Sequence, residues 1–279
     1  MSIIRKIIYM LDFNSSIRVY SNPMLKENAK YPENWFATWF DEWYMKVYQH
    51  RDEREAADFI SKWNIWEKLN PEDWCLDLGC GAGRFAQLFA KKGYNTLAVD
   101  LSMPLLEAAR KDLSGNANPY YVRSDMRCLP TVKRFGLIMS LFTSFGYFES
   151  DEEHSTLLRD LSNRLRPKGI IVLDLPNSSD VERKVSELPI TEKNIENVVV
   201  REERYMEMQP KRVIKRIIIS KDKETFKYTE SVRLYTNLEI EAMFQSVGIS
   251  SVEHPWGDYS GSPYSNSSSR MIYFGKRIG

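Results

Sequence analysis

Blocks of apolar and polar residues alternate along the middle of the chain, and their spacing predicts strands and helices in turn. Short apolar runs predict five strands, at residues 74–79, 96–100, 120–122, 137–141 and 170–175. Apolar residues at helical spacing predict helices between them, over residues 84–92, 104–113 and 151–165. Helices between successive strands are typical of a parallel sheet covered on both faces, so this region predicts an α/β fold.

The pattern changes after Pro176. Strand-like runs over residues 197–235 are separated by the turn-like sequences QPK and KDKE, which predicts an antiparallel meander. A helix over 236–247 and strands near 250–254 and 271–274 return to the α/β unit. We therefore predict an N-terminal helical cap (1–73), a core (74–184 and 236–279) and an antiparallel β lid or insert (185–235).

Three of the predicted helices begin at recognisable capping residues. Ser102 precedes the second helix as an N-cap. Ser150 with Glu153, and Thr236 with Glu239, have the spacing of capping boxes. These residues predict where each helix begins.

The first 73 residues carry two patterns, each with two interpretations. Apolar residues on one helical face (Ile3, Ile4, Ile7, Ile8 and Leu11) favour a helix packed on the body or on a second subunit, with a membrane-surface helix as the alternative. The aromatic stretch WFATWFDEWYMKVYQHRDERE favours core packing, with a helix laid across a ligand pocket as the alternative.

Composition narrows the class of protein. Hydrophobic residues make up 43% and charged residues 28%, as in soluble globular proteins, and no segment reaches the roughly 20 apolar residues that span a bilayer. The formal net charge of +1 gives no general field toward nucleic acid. The cluster Lys211, Arg212, Lys215 and Arg216 favours a solvated sheet face over a site for an anionic substrate or RNA.

Cysteine and histidine usage argues against a metal site. The three cysteines (Cys75, Cys80 and Cys128) form no CxxC pair, and there are only three histidines. This pattern supports neither a zinc site nor a disulfide framework, and we predict no metal. Such cysteine usage is typical of a reducing compartment, so we expect the protein in the cytoplasm.

Three glycines, Gly79, Gly81 and Gly83, follow the first predicted strand at alternate positions. Glycine permits left-handed backbone and close approach of a ligand, and the following helix offers free N–H donors. Asp100 ends the next strand, where a carboxylate can accept hydrogen bonds from ribose hydroxyls. The dinucleotide fingerprint G-x-G-x-x-G requires glycine where this chain has Arg84, which disfavours an NAD-dependent oxidoreductase.

The stretch from Asp77 to Gly83, DLGCGAG, resembles motif I of the class I S-adenosylmethionine (SAM) dependent methyltransferases. Four further elements fit that family in order: Asp100, residues 124–126, residues 141–147 and the turn at residues 165–169. The resemblance implies a Rossmann-like doubly wound sheet of seven strands with the last strand antiparallel. It also implies SAM as cofactor and S-adenosylhomocysteine (SAH) as product.

The same resemblance implies which residues meet SAM: Asp77, Gly79, Cys80, Gly81, Gly83, Asp100, Leu101, Asp125, Met126, Leu141, Tyr44 and Arg51. The family places the acid of the second strand on ribose, and an acid with its neighbour after the third strand against adenine. An N-terminal tyrosine and arginine meet the methionine part, and Tyr44, Tyr48 and Arg51 fit that description.

Structural roles remain open for some of these residues. Asp77 and Asp125 also fit turn residues that bond backbone N–H groups. Cys80 fits a position that only needs a small side chain, and Met126 fits ordinary packing.

Within the family, the chain is most similar to bacterial small-molecule methyltransferases, including sugar N-methyltransferases, which carry an antiparallel insert after strand five. This implies a small-molecule acceptor methylated on nitrogen or oxygen, and an insert that serves as a lid or joins a homodimer. Nucleic-acid substrates are disfavoured, because the D/N/S-P-P-Y/F motif of nucleobase methyltransferases is replaced by SLFT at residues 140–143. The similar DLPN at 174–177 follows the fifth strand. A tRNA or protein methyltransferase, and a catalytically inactive SAM-binding protein, remain alternatives.

The sequence does not identify the catalytic residues. The SAM sulfonium is already activated, so methyl transfer does not require one fixed catalytic residue. Positioning a nucleophile in line with the methyl group can account for about 7–11 kcal/mol of barrier reduction. The candidates for proton handling are His254, Tyr147 and His154, although we expect His154 to be a solvent-exposed residue of its helix. Aromatic residues that suit an acceptor pocket, or the packing of loops, are Phe145, Tyr147, Trp256, Tyr259 and Tyr264.

Overall fold

A computed structural model describes residues 18–20, 32–48, 53–63, 68–111, 113 and 118–279 of the protein. The apolar helical face at residues 3–11 and the cofactor candidate Arg51 lie outside the described residues. Our interpretations of both therefore stay predictions.

The described chain contains short helices first and then alternating strands and helices. The elements up to the end of the parallel region are β1 (Arg18–Tyr20), α1 (Phe36–Trp39), α2 (Glu42–Val47), α3 (Glu53–Lys62), β2 (Trp74–Leu78), α4 (Arg84–Lys91), β3 (Asn95–Asp100), α5 (Met103–Arg110), β4 (Tyr120–Arg123), β5 (Phe135–Ser140), α6 (Asp151–Arg164) and β6 (Leu165–Pro176). The remaining elements are α7 (Ser178–Glu187), β7 (Ile190–Ile195), β8 (Val198–Met208), β9 (Lys211–Lys221), β10 (Glu224–Arg233), α8 (Asn237–Ser246), β11 (Ile249–Ser251) and β12 (Arg270–Arg277).

Seven strands form the core sheet, in the order β11-β12-β6-β5-β2-β3-β4. The strands from β2 to β6 pair in parallel, whereas β12 is antiparallel to both of its neighbours. Strands covered on both faces need continuous apolar runs, and Leu76, Ile138 and Val172 are fully buried. The predicted Rossmann-like sheet with an antiparallel last strand is confirmed.

The helix starts follow the predicted caps. The Ser102 hydroxyl caps α5, and both capping boxes form, with Ser150 and Glu153 before α6 and Thr236 and Glu239 before α8. A cap fixes the first turn because it satisfies N–H groups that a helix cannot pair internally. Among the described residues, no helix combines the length and apolar character needed to cross a membrane.

A second, antiparallel sheet of five strands has the order β1-β7-β8-β9-β10. Strands β8 to β10 confirm the predicted meander. Helix α7 and strand β7 were not predicted. The β7 sequence ITEKNI is mostly polar, and within this strand only Ile190 is fully buried. The division of the chain into cap, core and insert stays a prediction.

The basic cluster of the meander does not form the solvated face that its sequence favours. Arg212 is 1% exposed, and its guanidinium donates to the carbonyls of Phe148 and Ser231. Lys215 is half-buried and pairs with Glu230 at 2.5 Å. The expectation of a solvated face is therefore wrong for these two residues, whose partners include a residue of the neighbouring strand and, for Arg212, the distant Phe148 carbonyl.

Candidate functional site

A cavity lies at the carboxyl ends of the parallel strands, where ligands of open α/β sheets bind. The strand ends β2, β3, β4 and β5 and the segment containing α1 and α2 supply its wall. The wall includes ten of the twelve residues predicted at the cofactor: Tyr44, Asp77, Gly79, Cys80, Gly81, Asp100, Leu101, Asp125, Met126 and Leu141. Gly83 is buried and does not line the cavity. The structure thus brings these residues together, while their contacts with a cofactor stay predictions.

The three glycines of the loop all have left-handed backbone, with φ of 71° at Gly79, 53° at Gly81 and 79° at Gly83. A Cβ atom on Gly79 would lie 2.6 Å from Ser144 Oγ, and one on Gly83 would lie 2.1 Å from the Tyr121 hydroxyl. A Cβ atom on Gly81 would meet no described atom within 4 Å. Gly79 and Gly83 therefore allow Ser144 and Tyr121 to pack closely against the loop, whereas the backbone of Gly81 is open to the cavity.

Asp100 joins the glycine loop to the start of α5. Its Oδ2 accepts the Gly81 N–H at 2.8 Å, and its Oδ1 accepts the Ser102 N–H at 2.8 Å. Burial raises the pKa of Asp100 above its ordinary value, and these backbone hydrogen bonds oppose the rise. The carboxylate is thus fixed in direction at the cavity wall.

Asp77 lies deeper, at the end of β2, and is 3% exposed. Its Oδ2 accepts the Ala86 N–H at 3.1 Å in the first turn of α4. This contact is the kind expected of a residue that holds the glycine turn. Burial raises the pKa of Asp77 to about 7, although the Ala86 hydrogen bond opposes it.

The raised pKa of Asp77 predicts a pH-dependent stability. The folded protein binds a proton at Asp77 that the unfolded chain has lost between pH 4 and 7, so this residue lowers stability as pH rises through that range. We expect Asp77→Asn to remove this contribution, which amounts to at most about 1.4 kcal/mol per pH unit. Urea unfolding of both proteins at pH 5 and pH 7, without ligand, measures it. Equal pH dependence in the two proteins would contradict the prediction.

Asp125 and Met126 follow β4, which lies two strands from β2 in the core sheet, and both residues line the cavity. Burial alone would raise the pKa of Asp125, but the hydrogen bonds and charge of Arg127 hold it below its ordinary value. The Arg127 Nη2 lies 2.7 Å from Asp125 Oδ2, and the Arg127 N–H donates to Oδ1 at 2.8 Å. Asp125 therefore stays ionised and fixed at the wall.

An aromatic segment, residues 35–48, forms another side of the cavity, and we call it the strap. Trp35 and Trp39 are buried in the core, while Phe36, Phe40 and Tyr44 line the cavity. Both interpretations of the aromatic stretch thus hold for different residues of one segment. Phe36 and Phe40 were missed as wall residues, because aromatic density alone does not reveal which side chains face a ligand.

The turn after β5 is a feature that the sequence did not reveal. Phe142 and Thr143 are non-glycine residues with φ of 53° and 67°, and Phe142 lines the cavity. Asp174 Oδ2 accepts the Phe142 N–H at 2.7 Å and the Tyr259 hydroxyl at 2.7 Å. Asp174 is fully buried and pairs with Arg270 at 2.6 Å. Strained backbone of this kind persists where surrounding contacts enforce it, and Asp174 supplies them here.

The structure corrects our expectation for His154, which is fully buried rather than solvent-exposed. Its Nε2 accepts the Phe148 N–H at 3.1 Å, and its Nδ1 lies 2.8 Å from the Tyr235 hydroxyl. Burial, aided by the nearby charge of Arg212, lowers the pKa of His154 to about 3. Its side chain lies outside the cavity wall, where it supports the loop that carries Phe148.

The other acceptor-side candidates separate into two groups. Tyr147 lines the cavity, and its ring stacks on Phe36 and Phe40. The remaining candidates do not line it. Phe145 is buried against His154, Tyr259 stacks behind Phe142 at 4.8 Å, Trp256 packs on Phe274 at 4.7 Å, Tyr264 is half-buried and His254 is exposed.

Comparison with known proteins identifies the central region. Residues 75–169 match the methyltransferase domain family. The chain is 28% identical to an enzyme of Streptomyces venezuelae, dTDP-3-amino-3,4,6-trideoxy-alpha-D-glucopyranose N,N-dimethyltransferase, over 47% of this chain and 54% of that enzyme. It is 26% identical to the cypemycin N-terminal methyltransferase of a Streptomyces species, over 71% of this chain and 80% of the relative. The chain thus spans about half the length of the first relative.

A solved structure of similar fold agrees with this match. It is an S-adenosylmethionine-dependent methyltransferase from Clostridium acetobutylicum, with a TM-score of 0.70, 22% identity, and coverage of 85% of this chain and 96% of that chain. The matched domain includes the glycine loop, Asp100 and Asp125. Residues 75–169 are therefore a methyltransferase domain, and the chain carries the class I fold of the SAM-dependent methyltransferases.

Proposed function

We propose that the protein transfers a methyl group from SAM to a nitrogen or oxygen atom of a small-molecule acceptor. The observation that carries the proposal is the junction of Asp100 with Gly81, where a directed carboxylate adjoins backbone open to the cavity. A carboxylate at the end of the second parallel strand suits ribose hydroxyls. The matched methyltransferase domain supports the same choice of ligand.

The residues of the cavity fit SAM. Asp100 would accept hydrogen bonds from the ribose, and the apolar side chains of Leu101 and Met126 would hold adenine. The open backbone at Gly81 and the ring of Tyr44 would hold the methionine end. When bound, SAM supplies an electrophilic methyl group on its sulfonium. The residues of the chain then contribute by orienting the acceptor and excluding water, which can lower the barrier by about 7–11 kcal/mol.

The acceptor side of the proposal rests on the aromatic wall. Phe36, Tyr147 and Phe148 present rings to the cavity, and such a wall suits an apolar or amine-bearing small molecule. The names of the two relatives refer to an amino sugar nucleotide and to the N-terminus of cypemycin. Of the three proton-handling candidates, Tyr147 lines the cavity, so we propose that it contacts the acceptor.

Calorimetric titration with SAH, with NAD titrated in parallel, tests the cofactor. Binding of SAH without binding of NAD supports the proposal, and the reverse result would revive the oxidoreductase. Transfer of labelled methyl from SAM is then measured with amino sugars, small carboxylic acids and bulk tRNA. Transfer to tRNA alone would overturn the small-molecule assignment, and SAH binding without any transfer would favour a SAM-binding protein without catalysis.

A glycine substitution tests whether the open space at Gly81 is a ligand site. Gly81→Ala should cost roughly 1–2 kcal/mol of stability because its backbone is left-handed. Its methyl group would occupy the cavity, so we expect SAH to bind about tenfold more weakly, which is roughly 1.4 kcal/mol. Gly93→Ala is the matched control, since Gly93 also has positive φ and an open Cβ direction but lies away from the cavity. Equal SAH affinities for the two variants would contradict the prediction.

The proposal also covers the cellular location and the oligomeric state. We propose a cytoplasmic location because Cys75, Cys80 and Cys128 form no disulfide in the described structure. We also propose a homodimer as the arrangement to test, by light scattering of the purified protein.

A further inference from the structure

We propose that Glu230, in the second sheet, is a positioning residue of the cavity, because it anchors the strap that carries Phe40 and Tyr44. Glu230 does not itself line the cavity. The inference rests on the proposed function only in taking SAH as the binding probe. It assigns the five-stranded sheet a role in holding the cofactor site together.

The first contact is a long-range hydrogen bond to the strap. The indole N–H of Trp39 donates to Glu230 Oε1 at 2.6 Å, across 191 positions of sequence. Trp39 is fully buried, and a buried indole N–H needs an acceptor. A carboxylate acceptor makes this bond stronger than one between neutral groups. Glu230 therefore fixes the position of Trp39 and of helix α1, which ends at Trp39.

Lys215 fixes the carboxylate in turn. It is the cross-strand partner of Glu230 on β9, and its ammonium lies 2.5 Å from Glu230 Oε2. The same ammonium donates to the Tyr48 hydroxyl at 2.5 Å, at the far end of the strap. One ion pair of the second sheet thus contacts the strap at Trp39 and at Tyr48.

Alternate residues of β10 face the strap, as expected for one face of a strand. The Tyr228 hydroxyl donates to Asp41 Oδ2 at 2.6 Å. The other oxygen of Asp41 accepts the N–H groups of Trp43 and Tyr44, at 2.8 and 3.3 Å, and so starts α2. The helix that presents Tyr44 to the cavity is therefore capped by a residue that the second sheet holds.

The strap is joined to the cofactor residues on its other side. The Ser102 hydroxyl donates to the Phe40 carbonyl at 2.5 Å, and the Ser102 N–H donates to Asp100. Trp39 and Phe40 are neighbours in the chain. Glu230 is therefore connected to Asp100 through Trp39, Phe40 and Ser102, by three hydrogen bonds and one peptide bond. Loss of the Glu230 anchor should therefore loosen a wall of the cavity without removing any group that lines it.

The experiment compares Glu230→Ala, Trp39→Phe and the double variant, using SAH calorimetry, thermal unfolding and hydrogen exchange of residues 36–47. Trp39→Phe should raise the Kd for SAH about fivefold, which corresponds to about 1 kcal/mol for one hydrogen bond. Glu230→Ala should raise it at least as much, because it also removes the ion pair with Lys215. The double variant should bind no more weakly than the weaker single variant, because both changes remove the same bond. Amide exchange over 36–47 should accelerate in all three. Glu203→Ala is the control, since Glu203 pairs with Arg201 of its own strand.

The outcomes separate the inference from the proposed function. Unchanged SAH affinity and unchanged exchange of 36–47 in a folded Glu230→Ala protein would overturn the anchor. So would equal effects of Glu230→Ala and Glu203→Ala, or additive effects of the two single variants. If Glu230→Ala fails to fold, Trp39→Phe alone decides, because it removes the N–H and keeps an aromatic ring. A wild-type protein that binds no SAH would refute the proposed function, while the exchange of 36–47 would still decide whether Glu230 anchors the strap.

Discussion

Replacing Asp100 by alanine is expected to weaken SAH binding by about 1.5–3 kcal/mol, which is a roughly 10- to 150-fold rise in Kd. We attribute the loss to the hydrogen bonds that the carboxylate would accept from ribose hydroxyls. The carboxylate already lies at the cavity wall, directed by the N–H groups of Gly81 and Ser102. Titration calorimetry of the purified variant measures the change.

Asp100 also holds the glycine loop, so its two effects need separate measurement. Asp100→Asn keeps an oxygen that can accept the Gly81 N–H but removes the negative charge. If the ribose contact dominates, the asparagine variant should lose most of the SAH affinity while its urea midpoint stays closer to wild type than that of Asp100→Ala. A folded Asp100→Ala protein with wild-type affinity would show that the ribose assignment is wrong.

The parts of the fold that the sequence predicted are those encoded by neighbouring residues. The glycine loop is one, because alternate glycines from Gly79 to Gly83 specify left-handed backbone directly after an apolar strand. The capping boxes at Ser150 and Thr236 are another, since each is closed within four residues. Apolar runs long enough for a buried parallel strand then determine the order of elements.

The residues that were misinterpreted or missed fall into two kinds, those with a local signal that was underweighted and those whose surroundings come from distant segments. His154 lies in the first turns of its helix, a position that favours solvent, yet it shares a helical face with Leu157, Leu158 and Leu161, all buried. That apolar spacing is present in the sequence and predicts burial better than the position of His154 near the start of the helix does. Arg212 offered no such local signal, because its acceptors include the Phe148 carbonyl, 64 positions earlier. The pairing of Trp39 with Glu230 is likewise visible only in the folded chain.

Asp174→Ala is expected to lower the free energy of unfolding by about 3–5 kcal/mol, the usual cost of leaving one member of a buried ion pair alone. Asp174 is fully buried, and Arg270, its partner at 2.6 Å, is 8% exposed. The substitution also removes the acceptor of the Phe142 N–H and of the Tyr259 hydroxyl. Urea unfolding without ligand measures the loss. Asp160→Ala is the matched control, since Asp160 pairs with Arg164 at the surface and should change stability by less than about 1 kcal/mol.

A comparison with Asp174→Asn separates the ion pair from the strained turn. Asparagine leaves Arg270 without its counter-charge, as alanine does, but keeps an oxygen for the Phe142 N–H. The difference in unfolding free energy between the two variants therefore reports what it costs to hold Phe142 and Thr143 in left-handed backbone. We expect the asparagine variant to retain about 1–3 kcal/mol relative to alanine, because a buried N–H left without an acceptor costs that much. Equal stabilities would mean that the turn keeps its conformation without the Asp174 carboxylate, and that other contacts, such as those of the Phe142 ring with Phe85 and Tyr259, hold Phe142 at the cavity wall.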